Sequence, residues 1–129
     1  MSFDPNSKIE NSEYLFRAFT FLQWKHSDNR VNSGVFNSSS SVSVDRDGGR
    51  EKLEITSTFQ ARENYENCGL VRNSAQFYRE INCTLTPNPI KPENIYHTLV
   101  DKENGTGTNR TIATKLCKNA SLVIMAVSN

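Results

Sequence analysis

Val42-Ser43-Val44-Asp45-Arg46 is the stretch on which the fold turns. Apolar and polar residues alternate along it, so an extended chain sets Val42 and Val44 on one face and Ser43 and Asp45 on the other. That is the pattern of a half-buried strand, and Asp47-Gly48-Gly49 closes it as a turn.

Upstream, the short serine run Ser38–Ser41 reads as a loop tip or linker after Gly34-Val35-Phe36. The segment Tyr14–Trp24, YLFRAFTFLQW, admits two readings. Its aromatic density favours a strand, while Leu15, Phe19 and Leu22 also fit one face of a helix. Residues 1–12 mix Asn, Ser, Pro and charges without periodicity, as a flexible N-terminal leader does, which leaves 13–129 as a single domain.

Downstream, residues 51–63 carry Leu53, Ile55 and Phe59 at spacings that suit a helix, although Ile55, Thr56 and Thr58 are poor helix formers. Gly69-Leu70-Val71 is a short apolar piece, and Ala75–Ile81 suits one or two helical turns. Cys83 and Leu85 alternate with Thr84 and Thr86 in a second half-buried strand, ended by Pro87 and Pro89, which cannot donate to a ladder. A strand over Ile95–Val100 follows the Pro92-Glu93-Asn94 turn. Ile112, Ala113, Leu116 and Cys117 recur at helical spacing within 108–119, and Ala120 continues the spacing just beyond it. Leu122–Val127 is apolar on both faces and reads as a central, covered strand. No segment repeats, and the irregular order of elements favours α+β over a doubly wound sheet. The expected fold is one compact α+β domain with a mixed sheet of four or five strands, two or three helices and the C-terminal strand at its centre.

The 129 residues are 36% hydrophobic and 22% charged, with a net charge of +1. Such a chain is too apolar for disorder, and its charge gives no general attraction to nucleic acid or anionic lipid. No apolar run approaches the roughly 18–20 residues of a membrane span. The N-terminus, Met1-Ser2-Phe3-Asp4-Pro5-Asn6, lacks the basic-then-apolar form of a signal peptide. Cys68, Cys83 and Cys117 are an odd number at irregular spacing, the usage of free thiols in a reducing compartment. The expectation is therefore a cytoplasmic protein with no membrane partner. Five N-x-S/T triplets, at Asn37, Asn82, Asn104, Asn109 and Asn119, follow from the abundance of Asn, Ser and Thr.

His97 is the first candidate for chemistry. On its strand it shares a face with Ile95 and Leu99, and an imidazole there suits general acid/base work or ligand contact, or else is a satisfied core histidine. Arg17 is the second: among Leu15, Phe19 and Phe21 its guanidinium needs a carboxylate such as Asp45 or a glutamate, or an anionic ligand. Ser43, Asp45 and Arg46 lie on the strand that would face such a ligand. Gly105-Thr106-Gly107-Thr108 stands before the 108–119 helix, where Thr106 and Thr108 with free N–H groups could cradle a phosphate or simply form a capped turn. Its spacing matches neither Walker A nor G-x-G-x-x-G. No C-x-x-C, H-x-x-x-H or close acidic cluster suggests a metal site, and no cofactor is expected. Arg46, Arg50 and Lys52 gather around the 47–49 turn, but Asp45, Asp47 and Glu51 dilute them as a phosphate-backbone contact. His26 reads as solvated and Cys117 as core.

Several pieces together resemble an uncharacterised group of small bacterial and archaeal α+β proteins. They are Arg17, Val35-Phe36, Ser43-Val44-Asp45-Arg46, Cys68-Gly69-Leu70-Val71, Pro87 and Pro89, Asn94-Ile95-Tyr96-His97, and Ile112–Leu116. The resemblance implies a stand-alone domain with Arg17, Ser43–Arg46 and His97 as its recurring polar set, and it brings no activity with it. Three functions are in view. The first is a binding or accessory module for a nucleotide, a nucleic acid or a protein encoded nearby, as in a toxin–antitoxin or phage-defence operon. The second is an enzyme acting on a phosphorylated, nucleotide-type substrate, with His97 moving the proton. The third is a homo-oligomeric structural subunit joined through the aromatic 14–24 segment.

Overall fold

The computed structural model describes residues 3–128. It is an α+β fold. Among the described residues eight strands run in chain order: β1 Tyr14–Phe19, β2 Trp24–Lys25, β3 Arg30–Val31, β4 Val42–Arg46, β5 Gly69–Ser74, β6 Cys83–Pro87, β7 His97–Lys102 and β8 Ser121–Ile124. The helices are α1 Lys52–Gln60, α2 Ala75–Glu80 and α3 Arg110–Asn119. Six strands form one sheet in the order β6-β7-β4-β1-β5-β8, and β2 and β3 pair as a separate ribbon. Every pairing is antiparallel, so the sheet is not mixed and holds more strands than the four or five expected.

The ambiguous aromatic segment resolves as a strand and then a short 3-10 turn at Phe21–Gln23. As β1 it lies near the middle of the sheet, with Leu15, Phe16 and Phe19 buried. Those three are committed to the core, while Tyr14, Phe21 and Leu22 of the segment are exposed. The C-terminal strand takes the opposite position from the one expected: β8 is the edge next to β5, not the centre. An apolar run records burial on two faces or exposure on one with equal ease. Here Leu122, Met125 and Val127 are exposed, and Ala126 reaches the core.

The two faces are covered unequally. On one, α2, α3 and the 3-10 turn Ser33–Val35 close a large core with Leu15, Phe19, Val42, Val44, Val71 and Val100 from the strands. Ala113, Leu116 and Cys117 are the buried stripe of α3, as their spacing predicted. On the other face α1 alone packs, setting Ile55 and Phe59 on Phe16 and Leu70. One short helix cannot cover six strands, so the part of this face over β4 and β7 stays open.

Residues 3–12, read from sequence as a leader, are tied down. Ile9 is buried in the main core. Arg46 donates to the Ser7 and Lys8 carbonyls, and Arg79 donates to the Ile9 carbonyl and to Asn11 Oδ1. The Phe3 ring stacks on Tyr96 at 4.7 Å between centroids.

Candidate functional site

The alternation of β4 decides which face its polar residues serve. Val42 and Val44 enter the main core, so Ser43 and Asp45 project to the open face. Antiparallel register then places Asp45 beside Phe16 of β1 and beside His97 of β7. The end of α1 and the segment after it bring Phe59, Arg62 and Tyr65 to one side, and the Ile90–Asn94 loop stands on the other. These residues, with Arg17 and Ser43, enclose a cleft of about 260 Å³.

Arg17 is among the residues lining the cleft, at a place where two strands part. Beyond Phe16, β1 stays paired with β5 as far as Phe19 but no longer pairs with β4. Arg17 Nε donates to the Val35 carbonyl and its Nη1 to the Ser43 carbonyl, both at 2.9 Å. The second bond gives Ser43 a partner where no ladder bond to β1 exists. Among the described residues Arg17 forms no ion pair. Burial pushes its pKa down, partly offset by the Tyr78 and Tyr65 phenols, yet an arginine stays cationic at neutral pH.

The other charges in the cleft are balanced. Asp45 accepts from Arg62 Nη2 on one oxygen and from Asn94 Nδ2 on the other, each at 2.7 Å. The carboxylate expected as a partner for Arg17 is therefore engaged elsewhere. His97 Nδ1 lies 2.9 Å from the Asn88 carbonyl, which can only accept, so the proton belongs on Nδ1 and the Nε2 lone pair is the ring's basic position. The cleft thus combines one uncompensated cation, a histidine of defined tautomer, the exposed Ser43 and the aromatic wall of Phe59 and Tyr65, whose rings lie 5.4 Å apart.

Of the residues singled out in the sequence, Arg17, Ser43, Asp45 and His97 come together here. The other three do not. Arg46 points to the opposite face, 2% exposed, where Glu13 grips it with both oxygens at 3.0 and 2.7 Å. Thr108 is buried and donates to the Phe36 carbonyl, and its oxygen accepts from the Ser38 amide, so it fastens the serine loop. The Gly107 amide is already taken by Asp101, and the cap of α3 is Asn109, which accepts from Ile112 N. That turn is a structural tie, not an anion cradle, and Thr106 is an exposed loop residue beside it. Arg50 also leaves the basic cluster: it lies 3.5 Å from the centroid of the Tyr96 ring and donates to the Asp47 and Arg46 carbonyls.

Arg62, Asn94, Phe59 and Tyr65 are the site residues that sequence reasoning missed. No local pattern marks a residue just past a helix end as the partner of a strand aspartate 17 positions earlier. The thiols take no part. Burial raises the Cys83 pKa to about 11, with Asp101 adding to it, and burial and Glu66 raise that of Cys68. Neither is a ready thiolate. Among the described residues no three His, Cys, Asp or Glu side chains converge on a metal-sized site, and no helix is long and apolar enough to cross a membrane.

No protein-family model matches the chain, nor does any curated protein or solved structure. The resemblance to small prokaryotic proteins gains no support from these comparisons, and the cleft must be read from its own chemistry.

Proposed function

We propose that the chain is a binding module for a small phosphorylated ligand of nucleotide type, held in the cleft between β4, β7 and α1. The observation that carries this reading is Arg17, a half-buried cation that, among the described residues, bonds to backbone carbonyls and forms no ion pair. A buried charge without a counter-ion is costly, and an entering anion supplies the missing charge. A guanidinium suits phosphate by its flat, forked donors. The Phe59 and Tyr65 rings offer an attached planar ring a stacking wall. At about 260 Å³ the cleft lies just below the roughly 300–1,000 Å³ of drug-sized ligand sites. It suits a phosphate with one ring attached.

The test is a thermal-shift and calorimetric titration with inorganic phosphate and mononucleotides, because a ligand of the native state raises its melting temperature. Ser43→Asp sets a negative charge at the mouth of the cleft on an exposed side chain. It is expected to remove binding while the unliganded melting temperature stays within about 2 °C, as for an ordinary surface change.

A second reading rests on His97. With Nδ1 held by Asn88, Nε2 is a base able to take a proton from a bound substrate or water, which would make the module an enzyme on the same phosphorylated substrate. His97→Gln separates the two. Loss of turnover with retained binding supports the enzyme, and unchanged behaviour of both supports binding alone.

A further inference from the structure

The apolar surface of this protein is concentrated on one edge. Leu53 is 77% exposed, Leu22 89%, Val127 58%, Leu122 43%, Met125 40% and Phe21 36%. All six lie on or beside the C-terminal segment. Leu122, Met125 and Val127 belong to it, Leu53 shares a groove with Val123 and Ile124 of β8, and Phe21 and Leu22 share a second groove with Val127. At roughly 150–200 Å² for a large side chain, they expose on the order of 500 Å² of apolar surface, the size of patch that marks an association site.

The two ends of the sheet are finished differently. The β6 edge runs into Pro87, with Pro89 close behind, and prolines block further pairing. The β8 edge has no such guard: Ser121-Leu122-Val123-Ile124-Met125-Ala126-Val127-Ser128 contains no proline and no charge. One feature restrains it. A register shift between Leu70 and Val71 leaves Val123 as an extra residue, and that bulge bends the strand.

We propose that β8 is the interface of a two-fold symmetric dimer, formed when the segment pairs antiparallel with the same segment of a second copy. Three observations select a second copy over another protein. The edge calls for an extended, apolar, uncharged strand, and this chain presents one. Antiparallel pairing of a strand with itself is what a two-fold axis produces, and here it sets no like charges against each other. The area also suffices: two copies bury about 1,000 Å² of apolar surface, the lower bound for a specific interface. Because the bulge keeps the shared ladder short, side-chain burial carries the association, and the dimer is weak. The proposal does not depend on the reading of the cleft.

Sedimentation equilibrium between about 5 and 200 µM covers the range of a weak interface of this size. The mass is expected to rise with concentration from 14.6 kDa toward twice that value. Leu122→Lys places two like charges across the axis and is expected to weaken association at least tenfold. Leu53→Glu is expected to act in the same direction, and Ile90→Lys, remote from the edge, to leave association unchanged. Hydrogen exchange is expected to show amide protection within 121–127, outside the Val127 amide already bonded to Asn67, that grows with concentration. A monomer at every concentration overturns the proposal. So does a dimer that ignores both Leu122→Lys and Leu53→Glu, or one whose protection appears away from 121–127.

Discussion

Two arginines stand on neighbouring strands of the same sheet, and their surroundings differ in one respect. Arg46 has a carboxylate: Glu13 accepts two bonds from it, and the Ser7 and Lys8 carbonyls take two more. Among the described residues Arg17 has the Val35 and Ser43 carbonyls and no carboxylate. Both guanidinia are hydrogen-bonded, but only Arg46 is neutralised. Hydrogen bonding alone therefore does not distinguish an arginine that holds a fold from one that can receive a ligand. Charge compensation does, since a cation satisfied by dipoles still attracts an anion and one satisfied by a carboxylate does not.

The largest expected effect comes from breaking the compensated pair. Glu13→Ala leaves Arg46 charged and buried, and removing one partner of such a pair costs about 3–5 kcal/mol. It should also loosen residues 3–12, which Arg46 holds. Arg17→Met has no carboxylate to strand. It frees two carbonyls and should cost less, about 1.5–3 kcal/mol, the scale of lost bonds to a charged donor. Denaturant unfolding of both variants checks the order. If Arg17→Met proved the more damaging, the contrast between the two arginines would be lost.

A smaller effect follows with pH. Burial raises the Glu13 pKa, but bonds from Arg46 and from the Glu10 and Gly48 amides, with the charge of Arg46, outweigh it, and the folded value lies below the ordinary 4.5. A carboxylate depressed on folding contributes stability that is present above its unfolded pKa and lost as pH falls through the folded one. Stability should thus fall as pH drops below about 4.5. Glu13→Gln should flatten that decline, as denaturant midpoints measured from pH 6 to 3 would show.

Local pattern made one part of the molecule legible and long-range pairing hid the rest. The period-two alternation of Val42–Arg46 assigns Ser43 and Asp45 to one face, and α3 follows from the 3.6-residue spacing of its apolar stripe. Both are properties of adjacent residues. Strand order is not, and so Leu122–Val127, whose composition suggested the centre, lies at the edge, while the ambiguous aromatic segment became an inner strand. The site shows the same division. Ser43 and Asp45 were placed by alternation, and Arg17 stood out as a charge among aromatics. Arg62, which neutralises Asp45, and Asn94, which bonds its second oxygen, come from a helix end and a loop that only the folded chain brings near. Arg46 drew attention by its strand, but the same alternation that points Asp45 outward points Arg46 inward.

The proposed anion site stands or falls with Arg17, which forms no ion pair among the described residues. Calorimetric titration of phosphate and mononucleotides into the wild-type protein and into Ser43→Asp tests it most directly. Saturable binding to the wild type that falls at least tenfold in Ser43→Asp, with both proteins equally stable, is the predicted result. Equal affinity in the two proteins, or no binding of any phosphorylated ligand to the wild type, would contradict it.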